Sequence, residues 1–99
     1  MLTPPKFSSM HYVYILKSQK DGKLYIGYTN DLQNQFKKHN QGKSFATKTR
    51  DPFGLIYYET YLAKADAKKR EQFFKIGWGR NYIKRNLKNT LLILKLGRG

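Results

Sequence analysis

Short apolar runs separated by polar turns dominate the first third of the chain. Tyr12–Leu16 is an unbroken run of aromatic and aliphatic residues, which is typical of a strand buried on both faces. A second run, Leu24–Tyr28, follows a polar stretch that contains Asp21-Gly22, a dipeptide that accepts the backbone angles of a hairpin turn. The two runs therefore predict an antiparallel β-hairpin.

Helical spacing replaces the strand pattern after the hairpin. Side-chain oxygens at positions 29–31 offer an N-cap for a helix of about ten residues, and Gly42 offers a stop. Leu55–Tyr61 returns to β-favouring residues and predicts a third strand. An Ala-rich helix over Ala63–Ile76 and a last short helix over Trp78–Leu87 follow.

The order of predicted elements is β-β-α-β-α-α, which indicates an α+β fold: a three-stranded antiparallel sheet flanked by helices. No repeat or Pro/Gly-rich linker divides the 99 residues, so we expect one domain over 10–88. Residues 1–9 are expected to form an N-terminal tail and residues 89–99 a C-terminal tail. Within the latter, Leu91–Gly99 either adds a strand or extends into solvent.

Charge points to the class of partner. The chain carries 20 Lys and Arg against 6 Asp and Glu, a formal charge of +14, which favours a polyanion such as DNA or RNA. The absence of cysteine excludes a thiol nucleophile, a Cys-based zinc site and an iron–sulfur cluster, and it fits a cytoplasmic protein. The longest apolar runs fall far below the roughly 18 residues that cross a bilayer, so no membrane partner is expected.

Positive charge is concentrated in the last third of the chain. Residues 63–90 include nine Lys and Arg against two acids, a sign bias that suits binding to a phosphate backbone. A second basic segment follows the first predicted helix. The residues expected to contact nucleic acid are Lys37, Lys38, Lys43, Lys48, Arg50, Lys68 and Arg70.

The six acids are scattered along the chain, which argues against a carboxylate-rich two-metal cluster. Glu71 is unusual among them because it interrupts the apolar stripe of Ala67 and Phe74 on the Ala-rich helix. Two interpretations stay open. Glu71 forms intrahelical ion pairs with Lys68 or Lys75, or it is the single protein ligand of a Mg²⁺ ion that water and a substrate phosphate complete.

Aromatic hydroxyls and one imidazole are the remaining candidates for chemistry. Tyr14 and Tyr25 lie on the two strands of the hairpin, and they face a common cleft if the register brings them across from each other. Ordinary core tyrosines are the alternative. His39 near the end of the first helix either interacts with the helix dipole or contacts a phosphate.

Six short motifs follow one another along the chain: Tyr12-Val-Tyr14, Tyr25-Ile-Gly27, Thr29-Asn-Asp-Leu32, His39-Asn40, Leu55-Ile-Tyr-Tyr-Glu59 and Arg70-Glu71. Together they resemble the GIY-YIG nuclease domain, in particular its small stand-alone bacterial members, which are related to the N-terminal nuclease module of the UvrC repair protein. The resemblance spans about Tyr12–Leu87. It implies a single divalent metal ion, Mg²⁺ or Mn²⁺, and structure-directed or repair-type hydrolysis of a DNA strand.

The resemblance also implies roles for individual residues. Tyr14 and Tyr25 would line the cleft and act on the attacking water, with the general base left open between them. Gly27 would let the backbone of the second strand approach its neighbour closely. His39 would hydrogen-bond a phosphate or the nucleophile, and Glu71 would hold the metal ion.

Gln35 departs from the family pattern. It stands four residues before His39, where an arginine usually contacts the scissile phosphate. A Gln side chain keeps a hydrogen-bond donor but loses the charge and the bidentate fork. The sequence therefore predicts a DNA endonuclease with impaired turnover, and the alternatives are a catalytically inactive DNA-binding module of the same fold or a small RNA-binding protein.

Overall fold

The structure is a computed structural model that describes residues 10–40 and 53–97, with side chains as far as Ile93. The predictions for the tail at 1–9 and for the helix stop at Gly42 lie outside the described residues. The same holds for the basic segment that carries Lys43, Lys48 and Arg50.

Three strands and four helices make up the described part of the chain: β1 (His11–Ser18), β2 (Leu24–Thr29), α1 (Leu32–Asn40), β3 (Phe53–Tyr61), α2 (Lys64–Lys75), α3 (Gly77–Asn86) and α4 (Lys88–Gly97). The strands form one antiparallel sheet in the order β2-β1-β3. The predicted α+β class and the three-stranded antiparallel sheet are confirmed. None of the described helices is both long and apolar enough to span a membrane.

Leu91–Gly97 does not form the extra strand that was one of the two alternatives, because the chain continues as helix α4, in which Leu92 and Ile93 are exposed. The backbone N–H of Leu87 bonds the carbonyl of Ile83 at 2.8 Å, and the N–H of Leu91 bonds the carbonyl of Leu87 at 2.9 Å. Helical hydrogen bonding therefore carries on across the junction between α3 and α4. Leucine is a strong helix former, so the apolar run itself suits this continuation.

The hairpin forms where Asp21-Gly22 predicts it. Gly22 has φ 74°, a backbone conformation that favours glycine. Ser18 closes the turn, since its N–H bonds the carbonyl of Lys23 at 2.9 Å and its carbonyl accepts the N–H of Gly22 at 2.9 Å. This turn sets the register of the two strands that carry the tyrosines.

Strand β1 lies in the middle of the sheet, and residues 13–16 are buried on both of its faces, as predicted. One face packs against Phe74 of α2 and Ile83 of α3. The other face packs against Phe53 and helix α1. Tyr14 lies on this second face, so α1 is the helix that covers it.

Helices α2 and α3 meet closely at Gly79. The chain turns at Ile76, whose extended backbone (φ −100°, ψ 168°) ends α2. Gly77 then begins α3, although the sequence pattern predicts a start at Trp78. A Cβ added at Gly79 would overlap the backbone carbonyl of Phe73, whereas one added at Gly77 would meet nothing within 4 Å.

These two glycines give a matched pair of stability variants. Gly79→Ala should destabilise the protein by about 2 kcal/mol or more, because backbone atoms of α2 cannot yield as a flexible side chain can. Gly77→Ala should be neutral or stabilising by up to about 1 kcal/mol, since alanine is the better helix former. Urea unfolding of both variants measures the difference, and equal unfolding midpoints would contradict the close approach at Gly79.

Candidate functional site

Tyr14 extends across Gly27 of the neighbouring strand. The register pairs Tyr14 with Gly27 and Leu16 with Tyr25. The two tyrosines are therefore diagonal neighbours on one face of the sheet, not directly opposite as the sequence interpretation required, and their ring centroids are 6.3 Å apart. A Cβ at Gly27 would overlap the Tyr14 phenol, so glycine is needed there for the ring to occupy this position.

His39 joins the two tyrosines from helix α1. Its imidazole is fully buried, and its Nε2 lies 2.9 Å from the Tyr14 hydroxyl in a hydrogen bond. The His39 ring centroid lies 5.8 Å from that of Tyr14 and 4.8 Å from that of Tyr25. Burial lowers the pKa of His39, which favours the neutral imidazole at neutral pH.

The position of α1 is set at both ends by side-chain hydrogen bonds. Asp31 caps the N-terminus, accepting the N–H of Asn34 at 3.3 Å, in agreement with the predicted N-cap. At the other end, the Asn40 amide donates to the carbonyl of Phe53 at 2.9 Å and accepts the Phe53 N–H at 2.5 Å. The sequence analysis included Asn40 in the His39-Asn40 motif but gave it no role, although its place beside His39 was the available signal for a positioning role.

Gln35 lies one helical turn before His39, on the side of α1 that faces the pocket. Its half-buried side chain is within hydrogen-bonding reach of the Tyr14 hydroxyl. Lys37 and Lys38 lie on the exposed side of the helix. Gln35 is therefore on the pocket side of α1, and the two lysines are on its solvent side.

Burial raises the pKa of Tyr14 well above its usual range. Proximity to Tyr25 and the negative charge of Glu71 act in the same direction, whereas the hydrogen bond from Gln35 opposes them. Tyr14 is therefore a neutral phenol at physiological pH.

Glu71 lies on the buried side of α2, and only 7% of the residue is exposed. Lys75 donates to Glu71 Oε2 at 3.1 Å, and the Lys68 Nζ lies 3.2 Å from Oε1 without hydrogen-bond geometry. The intrahelical ion pairs expected from the sequence are thus present. They leave Glu71 Oε1 as a buried oxygen that accepts no hydrogen bond.

A divalent metal ion fits this carboxylate. Within residues 10–40 and 53–97, no three His, Asp or Glu side chains gather closely enough to hold a metal ion by themselves. Mg²⁺ commonly takes one or two protein carboxylates and fills its octahedron with water and substrate phosphate. Glu71 Oε1 is therefore the oxygen that suits such an ion.

Arg70 lies in an internal network, whereas the sequence prediction places it on the nucleic-acid surface. Its guanidinium donates to both Glu59 oxygens, at 2.8 and 3.1 Å. The Glu59 carboxylate also accepts the hydroxyls of Tyr57 at 2.6 Å and Tyr61 at 2.5 Å. Burial acts to raise the pKa of Glu59, but these hydrogen bonds outweigh it and lower that pKa, which keeps the carboxylate charged.

The structure thus brings together Tyr14, Tyr25, His39 and Gln35, and the negative charge of Glu71 acts on the Tyr14 phenol. Lys68 is half-exposed beside the site, and its ammonium also lies 5.0 Å from the centre of the Tyr28 ring. The Glu59–Arg70 network was missed by sequence reasoning. Glu59 and Arg70 each lie in one of the motifs singled out in the sequence. The spacing of those motifs does not show that the two side chains pair.

The fold and the site define a small α+β protein whose described residues include a tyrosine–histidine pocket and the buried carboxylate of Glu71. The GIY-YIG catalytic domain matches residues 10–88, and the chain belongs to the GIY-YIG family. A UPF0213 protein of Bacillus pumilus is 47% identical over 66 residues, which are 66% of each chain. A UPF0213 protein of Staphylococcus epidermidis is 50% identical over 62 residues, covering 62% of this chain and 74% of that one.

The chain is also similar to a UPF0213 protein of Bacillus halodurans whose solution structure was determined by NMR. The two chains are 37% identical in sequence and superpose with a TM-score of 0.43. The matched region covers 87% of this chain and 85% of the other.

Proposed function

We propose that this protein is a metal-dependent DNA endonuclease that hydrolyses phosphodiester bonds in branched, damaged or single-stranded DNA. The observation that carries the proposal is the buried hydrogen bond between Tyr14 and His39, with the charge of the buried Glu71 carboxylate acting on the same phenol. Membership of the GIY-YIG family supports the nuclease class. The formal charge of +14 supports a nucleic-acid substrate.

Tyr14 and His39 would act as a pair on the attacking water. The raised pKa of Tyr14 means that the phenol holds its proton and cannot by itself begin as the base. Neutral His39 can accept that proton at Nε2, which requires the tautomer protonated at Nδ1. The attacking water would transfer a proton to the Tyr14 oxygen while Tyr14 transfers its hydroxyl proton to His39 Nε2. The resulting hydroxide would attack phosphorus, and the bond between phosphorus and the leaving oxygen would break.

Glu71 Oε1 would hold the Mg²⁺ or Mn²⁺ ion, which supplies positive charge to the phosphate oxygens as negative charge develops on them. Gln35 would donate a neutral hydrogen bond near the same phosphate. Tyr25, packed on the His39 ring, would orient the imidazole toward Tyr14. Burial of the Tyr14–His39 pair excludes bulk water from the proton path.

Removal of one hydroxyl tests the proposal. Tyr14→Phe should lower cleavage of labelled flap and nicked DNA by about 10²- to 10⁴-fold, the usual contribution of a positioned proton-transfer group. Cleavage by the unmodified protein should also stop in EDTA. Tyr12→Phe is the matched control, because it makes the same change on the same strand at a hydroxyl outside the pocket.

Equal cleavage by the Tyr14 and Tyr12 variants would contradict the proposed proton path. Cleavage that persists in EDTA would contradict the dependence on a metal ion. A gel assay with purified proteins, with thermal unfolding to check that both variants fold, distinguishes these outcomes.

A catalytically inactive DNA-binding module is the second candidate, and Gln35 is the residue that favours it. If Gln35 corresponds to the family arginine, as the sequence resemblance implies, the pocket has a neutral amide in place of a cation that would bind phosphate. Binding of DNA without cleavage under Mg²⁺ and Mn²⁺ would support this candidate. An RNA oligonucleotide that competes more strongly than DNA would favour the RNA-binding alternative.

A further inference from the structure

A groove opens on the face of the sheet opposite the tyrosine–histidine pocket. It runs between β2 and α3 and encloses about 560 Å³. Leu24 and Ile26 line it from β2, and they alternate along that strand with Tyr25, which faces the pocket. A ligand in the groove therefore lies on the other side of the sheet from His39.

Three cations border the groove. Lys23 comes from the turn just before β2, while Arg80 and Lys84 are four residues apart on one side of α3. In the part of the chain that the structure describes, the ion pairs involve Lys68, Arg70 and Lys75 but none of these three.

The acid nearest along the chain is Asp21, whose carboxylate accepts the backbone N–H of Lys23 at 2.9 Å. Among the residues that the structure describes, no acidic side chain lines the groove itself. The side chains that line it are thus cations and apolar groups, with charge available for an anionic ligand.

The floor of the groove is apolar. Leu24 is partly exposed there, and Ile26 and Ile83, which are nearly buried, form the base of the groove. Such a surface suits a ligand that carries both phosphates and planar apolar groups, as a strand of nucleotides does. The volume lies in the range of roughly 300–1,000 Å³ that is usual for small-molecule sites, so unpaired nucleotides fit and a base-paired duplex does not.

We propose that this groove binds an unpaired nucleic-acid strand, with phosphates on Lys23, Arg80 and Lys84 and sugars or bases on the apolar floor. Because β2 is an edge strand of the sheet, one polynucleotide can pass around it from the groove toward the pocket. The inference rests on the proposed function in taking nucleic acid as the partner. It adds that the substrate carries a single-stranded segment beside the bond that is cut.

The test uses two triple variants of matched composition. The groove variant is Lys23→Gln, Arg80→Gln and Lys84→Gln. The control variant removes the same side chains at exposed positions outside the groove: Lys69→Gln, Arg85→Gln and Lys88→Gln. Fluorescence anisotropy in EDTA measures binding to a labelled single strand and to a blunt duplex at several salt concentrations, without any cleavage.

The groove variant should reduce the slope of log K against log salt for the single strand by about 2, since each lost phosphate contact contributes about 0.7. At 0.1 M salt this change corresponds to a loss of affinity of up to about 100-fold. The control variant should change the slope by less than half as much. Duplex binding should be affected equally by both variants.

Equal losses of single-strand binding in the two triple variants would overturn the proposal in favour of diffuse surface charge. NMR titration of the unmodified protein provides a test that needs no variant. A single-stranded oligonucleotide should shift the amide signals of Leu24, Ile26 and Ile83. Shifts confined to Tyr14, Tyr25 and His39 would contradict binding in the groove. If a mononucleotide saturates the groove with the same affinity as the oligonucleotide, the proposal that the groove binds a strand is rejected. The groove would then be a site for a small nucleotide.

Binding and cleavage separate this inference from the proposed function. A groove that binds single strands in a protein without cleavage would leave the inference standing and reject the endonuclease. If the groove variant leaves both cleavage and single-strand binding unchanged, the endonuclease proposal stands and the groove inference is rejected.

Discussion

Glu71→Gln should abolish Mg²⁺-dependent cleavage, with a loss of about 10³-fold or more. A metal ion that stabilises charge in the transition state contributes several kcal/mol, and each 1.36 kcal/mol is tenfold in rate. The amide has nearly the shape of the carboxylate, so packing between Ala67 and Phe74 is kept. It lacks the negative charge that holds a divalent cation.

The competing interpretation makes Glu71 a purely structural partner of Lys68 and Lys75. Both lysine side chains are about half exposed, and such intrahelical pairs contribute only about 0.3–0.5 kcal/mol. Under that interpretation the variant would be slightly less stable and would cleave as before. The two interpretations thus differ by orders of magnitude in rate.

Asp66→Asn is the matched control for Glu71→Gln, because it makes the same chemical change at an exposed position on α2. A second readout is independent of cleavage. Mn²⁺ should broaden the NMR signals of residues around Glu71 in the unmodified protein and in the Asp66 variant but not in the Glu71 variant. Equal broadening in all three proteins would contradict the assignment of Glu71 as the metal ligand.

Gln35→Arg should raise the rate of cleavage by about 10²- to 10³-fold. One donor that stabilises developing oxyanion charge is usually worth this much, and arginine adds the charge and the two-pronged geometry that phosphate recognition favours. The Gln35 side chain already reaches the Tyr14 hydroxyl, so a longer guanidinium at this position points into the pocket. Its charge would also lower the pKa of Tyr14 and ease proton transfer.

Gln33→Arg controls for the added charge, because Gln33 is exposed on the same helix and lies outside the pocket. Initial rates on a flap substrate at fixed Mg²⁺ compare the two variants with the unmodified protein. A gain confined to the Gln35 variant would identify the missing arginine as the cause of low activity. Equal rates in both variants would show that Gln35 does not occupy the position of the family arginine.

Much of the fold was predictable because its signals are local. The apolar run of β1, the Asp21-Gly22 turn and the cap at Asp31 each depend on residues a few positions apart, and each element forms as predicted. The end of the chain was not predictable in the same way. A run of leucines suits a strand, a helix or an exposed end, and hydrogen bonding onward from Leu87 makes it a helix.

Residue types at the candidate site could be picked from the motifs, but their contacts depend on register. Leu16, not Tyr14, pairs with Tyr25, so the two phenols approach diagonally. Arg70 looks like a surface cation in the sequence, yet Glu59 on a neighbouring strand engages it through both oxygens. Sequence spacing contains no information about which distant acid reaches which cation.

The order of residues along the chain was sufficient for the hairpin, the α+β class and the basic character of the surface, because backbone preference and net charge are properties of short segments and of composition. The tertiary structure alone decided that His39 bonds Tyr14, that the charge of Glu71 acts on the same phenol, and that Lys23, Arg80 and Lys84 line one groove. Each of these contacts joins residues far apart along the chain. Such contacts arise only when the whole core has packed and every strand has taken its register.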